Sequence, residues 1–179
     1  MAAYRSPRAA ERSHTSIRWM RPGDLEAVVR LDAQVSGAAR QAYFEQRVAA
    51  LDHNDPAAHA IGLVAEDDGA LTGFVMGTLT SGEFGFSEVA LLMDSIAVHP
   101  RRQRRGIGRQ LAEALIAEGA ARGARDVYTL VDWNSWDMLK FFDSVDFGLA
   151  QTMLLHRRIG QEIDQEIDRE IGQTDREGV

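Results

Sequence analysis

The sequence has no cysteine, so disulfides, zinc–thiolate sites and a cysteine nucleophile are excluded at once. It has only four prolines among 179 residues. No apolar run approaches the roughly 20 residues that a membrane-spanning helix needs. The histidines, including His53, His59, His99 and His156, show no ligand spacing, and no metal is assigned. Met1 to Ser16 carries Arg and Ser but no apolar segment of the secretory kind. An excess of positive charge is missing too. The net charge is −7, which argues against a general nucleic-acid binder, because phosphate neutralisation dominates such affinity. What remains is 45% hydrophobic and 26% charged, the composition of one globular domain with modest tails. A cytoplasmic protein with no membrane or nucleic-acid partner is the expectation.

One stretch organises the rest, running from Asp94 through Ile96, Val98 and Pro100 to Gly106, Gly108 and Leu111. The β-branched run through Ile96 and Val98 predicts a strand, stopped by Pro100, which cannot donate to a ladder. Gly108, Leu111, Ala112, Leu115, Ile116 and Gly119 fall on one face at helical spacing. Two glycines in the turn between them leave backbone amides uncovered. Free amides at the positive end of a helix form an anion site suited to phosphate. Arg101, Arg102, Arg104, Arg105 and Arg109 surround it in sequence. A Walker loop is disfavoured, because Gly108 is followed by Arg109-Gln110 and not by Lys-Ser/Thr. A dinucleotide fingerprint is disfavoured as well, since only Gly106-x-Gly108 of its three glycines is present.

Residues 1–15 are polar and without periodicity, and read as a mobile extension. A short strand is predicted at 17–20, a helix from Leu25, and a second helix over 39–51 with Ala42, Tyr43, Val48 and Leu51 inward. Strands at 61–65 and 71–79 flank Asp67-Asp68-Gly69, a hairpin signal. The central strand is expected over 89–98, a helix follows to about Arg122, and another strand covers 126–131. A helix over 135–145 carries Met138, Phe141, Phe142 and Val145, and a last β segment or pair spans 147–158. The tail, 160–179, repeats Glu-Ile-Asp with Ile163, Ile167 and Ile171 four apart. That narrow stripe docks, pairs with a second chain, or frays.

The segment Gln103-Arg104-Arg105-Gly106-Ile107-Gly108, between a strand and an amphipathic helix, resembles the acetyl-CoA-binding motif of the GNAT superfamily of N-acetyltransferases, bacterial type. Trp133-Asn134-Ser135-Trp136-Asp137-Met138-Leu139-Lys140-Phe141-Phe142 is similar to the pattern of a bacterial subgroup, and so is Gly82-Glu83-Phe84-Gly85. The resemblance covers about residues 16–159 as the N-acetyltransferase domain. It implies an α/β (α+β) fold: a mixed, mainly antiparallel sheet of six to seven strands flanked by about four helices, in the order β-α-α-β-β-β-α-β-α-β.

The same resemblance implies acetyl-CoA as cosubstrate and an amine acceptor; a homodimer is a candidate assembly if the isoleucine stripe of the tail pairs two chains. Backbone groups of Ile96, Ala97 and Val98 would pair with the pantetheine arm. The loop of Gln103, Arg104, Arg105, Gly106, Ile107, Gly108 and Arg109 would hold the pyrophosphate. Asn134 is either a contact to the CoA arm or a helix N-cap. Asp94 is the leading candidate base, needing a pKa raised by burial or a water chain; a structural hydrogen-bonding role is its alternative. Glu83 and Glu88 are alternates. Phe142 stands where relatives carry a tyrosine acid, and Asp146 where they carry glycine. The thiolate is then protonated by water or by another tyrosine, Tyr43 being on the acceptor side. Trp133 and Trp136 read as packing residues, with ligand contact as the alternative. A non-catalytic acyl-CoA-binding or regulatory module is the second reading. Glu83, Glu88 and Asp94 favour a cationic acceptor such as lysine, a polyamine or a peptide amino terminus.

Overall fold

The computed structural model describes residues 15–52, 55, 57–81, 88–152 and 154–157. The strands are β1 (Ser16–Trp19), β2 (Ala60–Asp67), β3 (Ala70–Thr80), β4 (Ala90–Val98) and β5 (Asp126–Thr129), with β2 and β3 near-continuous apolar runs buried on both faces. Helices are α1 (Leu25–Ser36), α2 (Gln41–Ala49), α3 (Ile107–Ala121) and α4 (Trp136–Ser144). The sheet order is β1-β2-β3-β4-β5, with the first three pairings antiparallel and β4–β5 parallel. Asp68 and Gly69 turn the β2–β3 hairpin with φ of 51° and 76°, the two left-handed positions that such a tight hairpin requires.

The element order follows the expectation up to α4 and then stops short of it. Among the described residues the sheet has five strands instead of six or seven, and residues 147–152 and 154–157 contain no strand. The chain divides into two compact units, the first ending at Asp146. Beyond it, Leu149, Leu154 and Leu155 are exposed, so the apolar residues that suggested strands lie in no buried ladder. The isoleucine tail lies outside the described residues.

Helix α3 covers one face of the sheet and approaches it closely. A Cβ on Gly73 would stand 2.9 Å from Leu111, and one on Gly119 would stand 2.8 Å from Leu91. On the other core, Val28 and Leu31 of α1 and Phe44 and Val48 of α2 pack with Val64, Phe74 and Met76. The inward face of α2 follows the expectation at buried Val48 and at Tyr43 and Leu51, which pack half-buried against this core, but Phe44 is buried there while Ala42 is exposed. The larger side chain takes the sheet-facing position, where Phe44 meets Phe74 edge-on at 5.5 Å. Arg40 ties α2 to α1 through two bonds to buried Asp32, from Nε at 2.9 Å and Nη2 at 2.6 Å.

Two irregularities meet in the middle of β4. The β3–β4 register steps from Met76↔Ser95 to Gly77↔Met93, so Asp94 is the extra residue of a β-bulge. Pairing with β5 covers only Ala90 to Met93. From Asp94 onward, β4 has no partner strand on that side among the described residues.

Candidate active site

The bulge breaks the two-residue alternation, and two adjacent polar side chains, Asp94 and Ser95, reach the same helix. Tyr43 Oη of α2 donates to Asp94 Oδ1 at 3.1 Å and lies 3.2 Å from Ser95 Oγ. One turn further along α2, Arg47 Nη2 donates to Asp94 Oδ2 and, at 2.5 Å, to Thr78 Oγ1 of β3. Thr78 Oγ1 is 3.5 Å from the same carboxylate oxygen. Arg47 Nε is buried without a hydrogen-bond partner. The side chains of Asp94 and Arg47 are 26% and 21% exposed. Burial pushes the Asp94 carboxyl above the usual carboxylate range, opposed by the Arg47 charge and by the hydroxyl donors. Burial also raises the Tyr43 phenol, so this hydroxyl stays protonated at neutral pH.

Beyond Val98 the strand runs into a second, differently built region. Arg101 N–H donates to His99 Nδ1 at 3.2 Å, and Gln103 Nε2 donates to the Val98 carbonyl at 3.0 Å. Arg104 has φ of 60° and Gly106 of 83°, so the backbone turns through two left-handed positions just before α3. The first bond into that helix runs from Gln110 N to the Gly106 carbonyl at 3.0 Å. The amides of Ile107, Gly108 and Arg109 precede it and remain available to an anion. Not all five arginines stay at this loop. Arg102 pairs with buried Asp67 at 2.7 Å, and Arg109 reaches Glu113 and the Ser144 carbonyl, tying α3 to α4. Arg101, Arg104 and Arg105 are exposed around it.

These two regions sit on one strand, joined through Ile96, Ala97 and Val98. The sequence model of the Acetyltransferase (GNAT) family matches residues 16–144. The chain belongs to that family. Solved structures agree in fold. An aminoglycoside N-acetyltransferase AAC(6')-Iy in complex with CoA is 22% identical, with a TM-score of 0.69 over 85% of this chain and 99% of that one. A ribosomal-protein-alanine N-acetyltransferase from Brucella melitensis biovar Abortus 2308 is 22% identical, with a TM-score of 0.65 over 82% and 99%. An aminoglycoside acetyltransferase from an uncultured soil metagenomic sample, in complex with sisomicin, is 18% identical, with a TM-score of 0.65 over 82% and 97%. No protein of curated function matches the chain in sequence.

Other residues singled out in this GNAT chain fall elsewhere. Glu83 lies outside the described residues. Glu88 faces Arg125 at 3.6 Å on the surface. Asn134 is not the N-cap of α4; Ser135 holds that position, without a side-chain cap. Trp133 and Trp136 are 82% and 66% exposed, contrary to a packing role. Asn134 and Trp136 line a depression of about 360 Å³ with Ser135, Asp137 and Met138, and none of the Asp94 cluster. Phe142 is buried, only 4% exposed. Asp146 has φ of 66°, the left-handed conformation for which glycine is the easy choice. Arg47, Thr78 and Ser95 were not singled out from sequence. Arg47 had one signal, its position four residues after Tyr43 on one helix face.

Proposed function

We propose that the protein is an N-acetyltransferase that moves the acetyl group of acetyl-CoA to a primary amine. The observation that carries this reading is the unpaired edge of β4, which opens at Asp94 and leads into the amide-lined loop before α3. An extended pantetheine arm fits along Ile96, Ala97 and Val98 on the edge of β4 away from β3, as an added strand. A pyrophosphate fits the amides of Ile107, Gly108 and Arg109, with Gln103, Arg104, Arg105 and Gly106 shaping the turn. Acetyl-CoA supplies an activated thioester. Asp94 takes the proton that the amine loses as its nitrogen bonds to the acetyl carbon. Tyr43, neutral and hydrogen-bonded to Asp94, is the group able to return a proton to the departing thiolate in place of the tyrosine that Phe142 replaces. Asn134 is proposed as a contact to the CoA arm.

The test pairs binding with turnover. Acetyl-CoA raises the melting temperature, and an amine acceptor produces steady release of free CoA thiol. The second reading, an acyl-CoA-binding module without catalysis, draws support from buried Phe142. It is the outcome if stabilisation occurs without thiol release across an amine library.

A further inference from the structure

We propose that Arg47 determines acceptor specificity: its guanidinium, held on Asp94, favours amines that arrive uncharged, such as a peptide α-amine, over ammonium groups such as that of lysine. The inference rests on the N-acetyltransferase reading above. Asp94 is the one carboxylate in the cluster of Tyr43, Arg47, Thr78, Asp94 and Ser95. Its Oδ2 carries the Arg47 ion pair, and its Oδ1 accepts from Tyr43. Arg47 is not a side chain free to swing away. Thr78 holds the same Nη2 from the neighbouring strand at 2.5 Å, and Nε is buried in the core. The other cation on α2's N-terminal side, Arg40, lies 5.1 Å over the Tyr43 ring with its own charge on Asp32. No carboxylate in this cluster is left uncompensated to attract an ammonium ion.

Two consequences follow for the acceptor. An ammonium approaching Asp94 meets a fixed like charge on the same carboxylate, which disfavours it. A neutral amine meets no such opposition and presents its lone pair directly. At pH 7.5 about a third of peptide α-amines are neutral, against roughly one in a thousand lysine side chains. The transfer then balances without further reagents. The amine nitrogen bonds to the acetyl carbon, the carbon–sulfur bond breaks, and the amine's surplus proton passes to Asp94 and on to solvent. The thiolate leaves and is protonated.

The experiment measures CoA release with acetyl-CoA and two peptides. One has a free α-amine and no lysine; the other has a blocked terminus and one lysine. In the wild type, kcat/KM favours the α-amine peptide by about 100-fold or more, as the neutral fractions alone allow. Because chemistry by itself contributes to that ratio, the variant decides. Arg47→Gln narrows the ratio by about tenfold, mainly through a lower KM for the lysine peptide, since the like charge is gone. Arg47→Lys restores the ratio, and Thr78→Val, which removes the second anchor, narrows it less than Arg47→Gln. If Arg47→Gln fails to fold by circular dichroism, the Thr78→Val and Arg47→Lys results carry the test. An unchanged ratio in Arg47→Gln, or in Thr78→Val where Arg47→Gln does not fold, or a wild type preferring the lysine peptide, overturns this inference alone. Release with no amine at all overturns the transferase reading and this inference with it.

Discussion

The two ends of the open edge of β4 are built on opposite plans. At the Asp94 end, the proposed function is carried by side chains, and each has a partner: Tyr43, Arg47, Thr78 and Ser95 surround one carboxylate. At the Gly106 end it is carried by backbone amides, and two of the arginines that the sequence places there are engaged elsewhere. A site built from side chains can be altered one atom at a time, with a graded response. A site built from backbone responds to conformation first and to charge second. The difference predicts how substitutions at each end behave.

The largest effect is expected at the side-chain end. Asp94→Asn should lower turnover by about two to four powers of ten, the range for a lost general base, while acetyl-CoA still stabilises the fold. The pH dependence has a definite sign. Because burial raises the Asp94 pKa, the acidic limb of the turnover profile should begin above the ordinary carboxylate range, and Asp94→Asn should abolish that limb. Stability runs the other way. Between the unfolded value and the raised folded one, the native state holds the extra proton, so Asp94's contribution falls as pH rises through that window. Denaturant unfolding of wild type and variant across that window checks this. Near-full activity with an unchanged limb would make Asp94 structural.

At the backbone end, Gly106→Asp should abolish the stabilisation by acetyl-CoA, about 2.7 kcal/mol at a concentration one hundred times the dissociation constant. It places a carboxylate at the anion site and a side chain on a residue with φ of 83°. Gly108 fails for another reason. A Cβ there would stand 3.0 Å from the Phe141 ring, so even Gly108→Ala should press α4 away from α3. Overpacking of that kind costs about 1–3 kcal/mol. Thermal melts without and with acetyl-CoA separate the two: Gly106→Asp loses the ligand response, whereas Gly108→Ala loses stability before ligand is added.

How much of each end was legible in the sequence follows from the same contrast. The loop is local: strand, Pro100, Gly106, Gly108 and an apolar helical face lie consecutively, and they predict a turn with open amides. The β2–β3 hairpin was legible for the same reason, since Asp68-Gly69 specifies it within four residues. The Asp94 cluster is not local. It needs Tyr43 and Arg47 brought about fifty residues along the chain, and a bulge that turns Asp94 and Ser95 to one face. Sequence alternation assigns neighbours to opposite faces, so Ser95 could not be placed. The arginines misled because charge near a loop does not show where long side chains end; Asp67 becomes visible as a partner only in three dimensions, whereas Glu113, four residues after Arg109 on the expected helix, was within reach of the spacing. Trp133 and Trp136 misled similarly, because size and hydrophobicity favour burial while the β5–α4 connection and the first turn of α4 leave them exposed.

Phe142→Tyr asks whether the side-chain end can be extended to α4. The ring is almost fully buried, so an added hydroxyl without a hydrogen-bond partner costs about 1–3 kcal/mol. The expected outcome is a lower melting temperature with turnover little changed. A raised turnover would show that the hydroxyl reaches the reacting sulfur and that Tyr43 does not already serve there.

The smallest effect tests whether the loop is read by conformation or by charge. Arg104 has φ of 60°, and a non-glycine residue in that region costs roughly 1–2 kcal/mol. Arg104→Gly removes this strain but adds backbone freedom to the unfolded chain, which takes back part of the gain. The net rise in stability should be under about 1 kcal/mol, a shift of about 2–4 °C at most for a protein of this size. It also removes one exposed positive charge from the anion site, and an exposed charge is worth little because solvent screens it. Acetyl-CoA affinity should therefore change by only a few-fold. Arg104→Val removes the same charge but resists the left-handed conformation, since its branched Cβ crowds the backbone. It should lower both stability and affinity. If the two variants lose acetyl-CoA equally, the Arg104 charge carries the site. If only the valine variant loses it, the amides do, held in place by the turn.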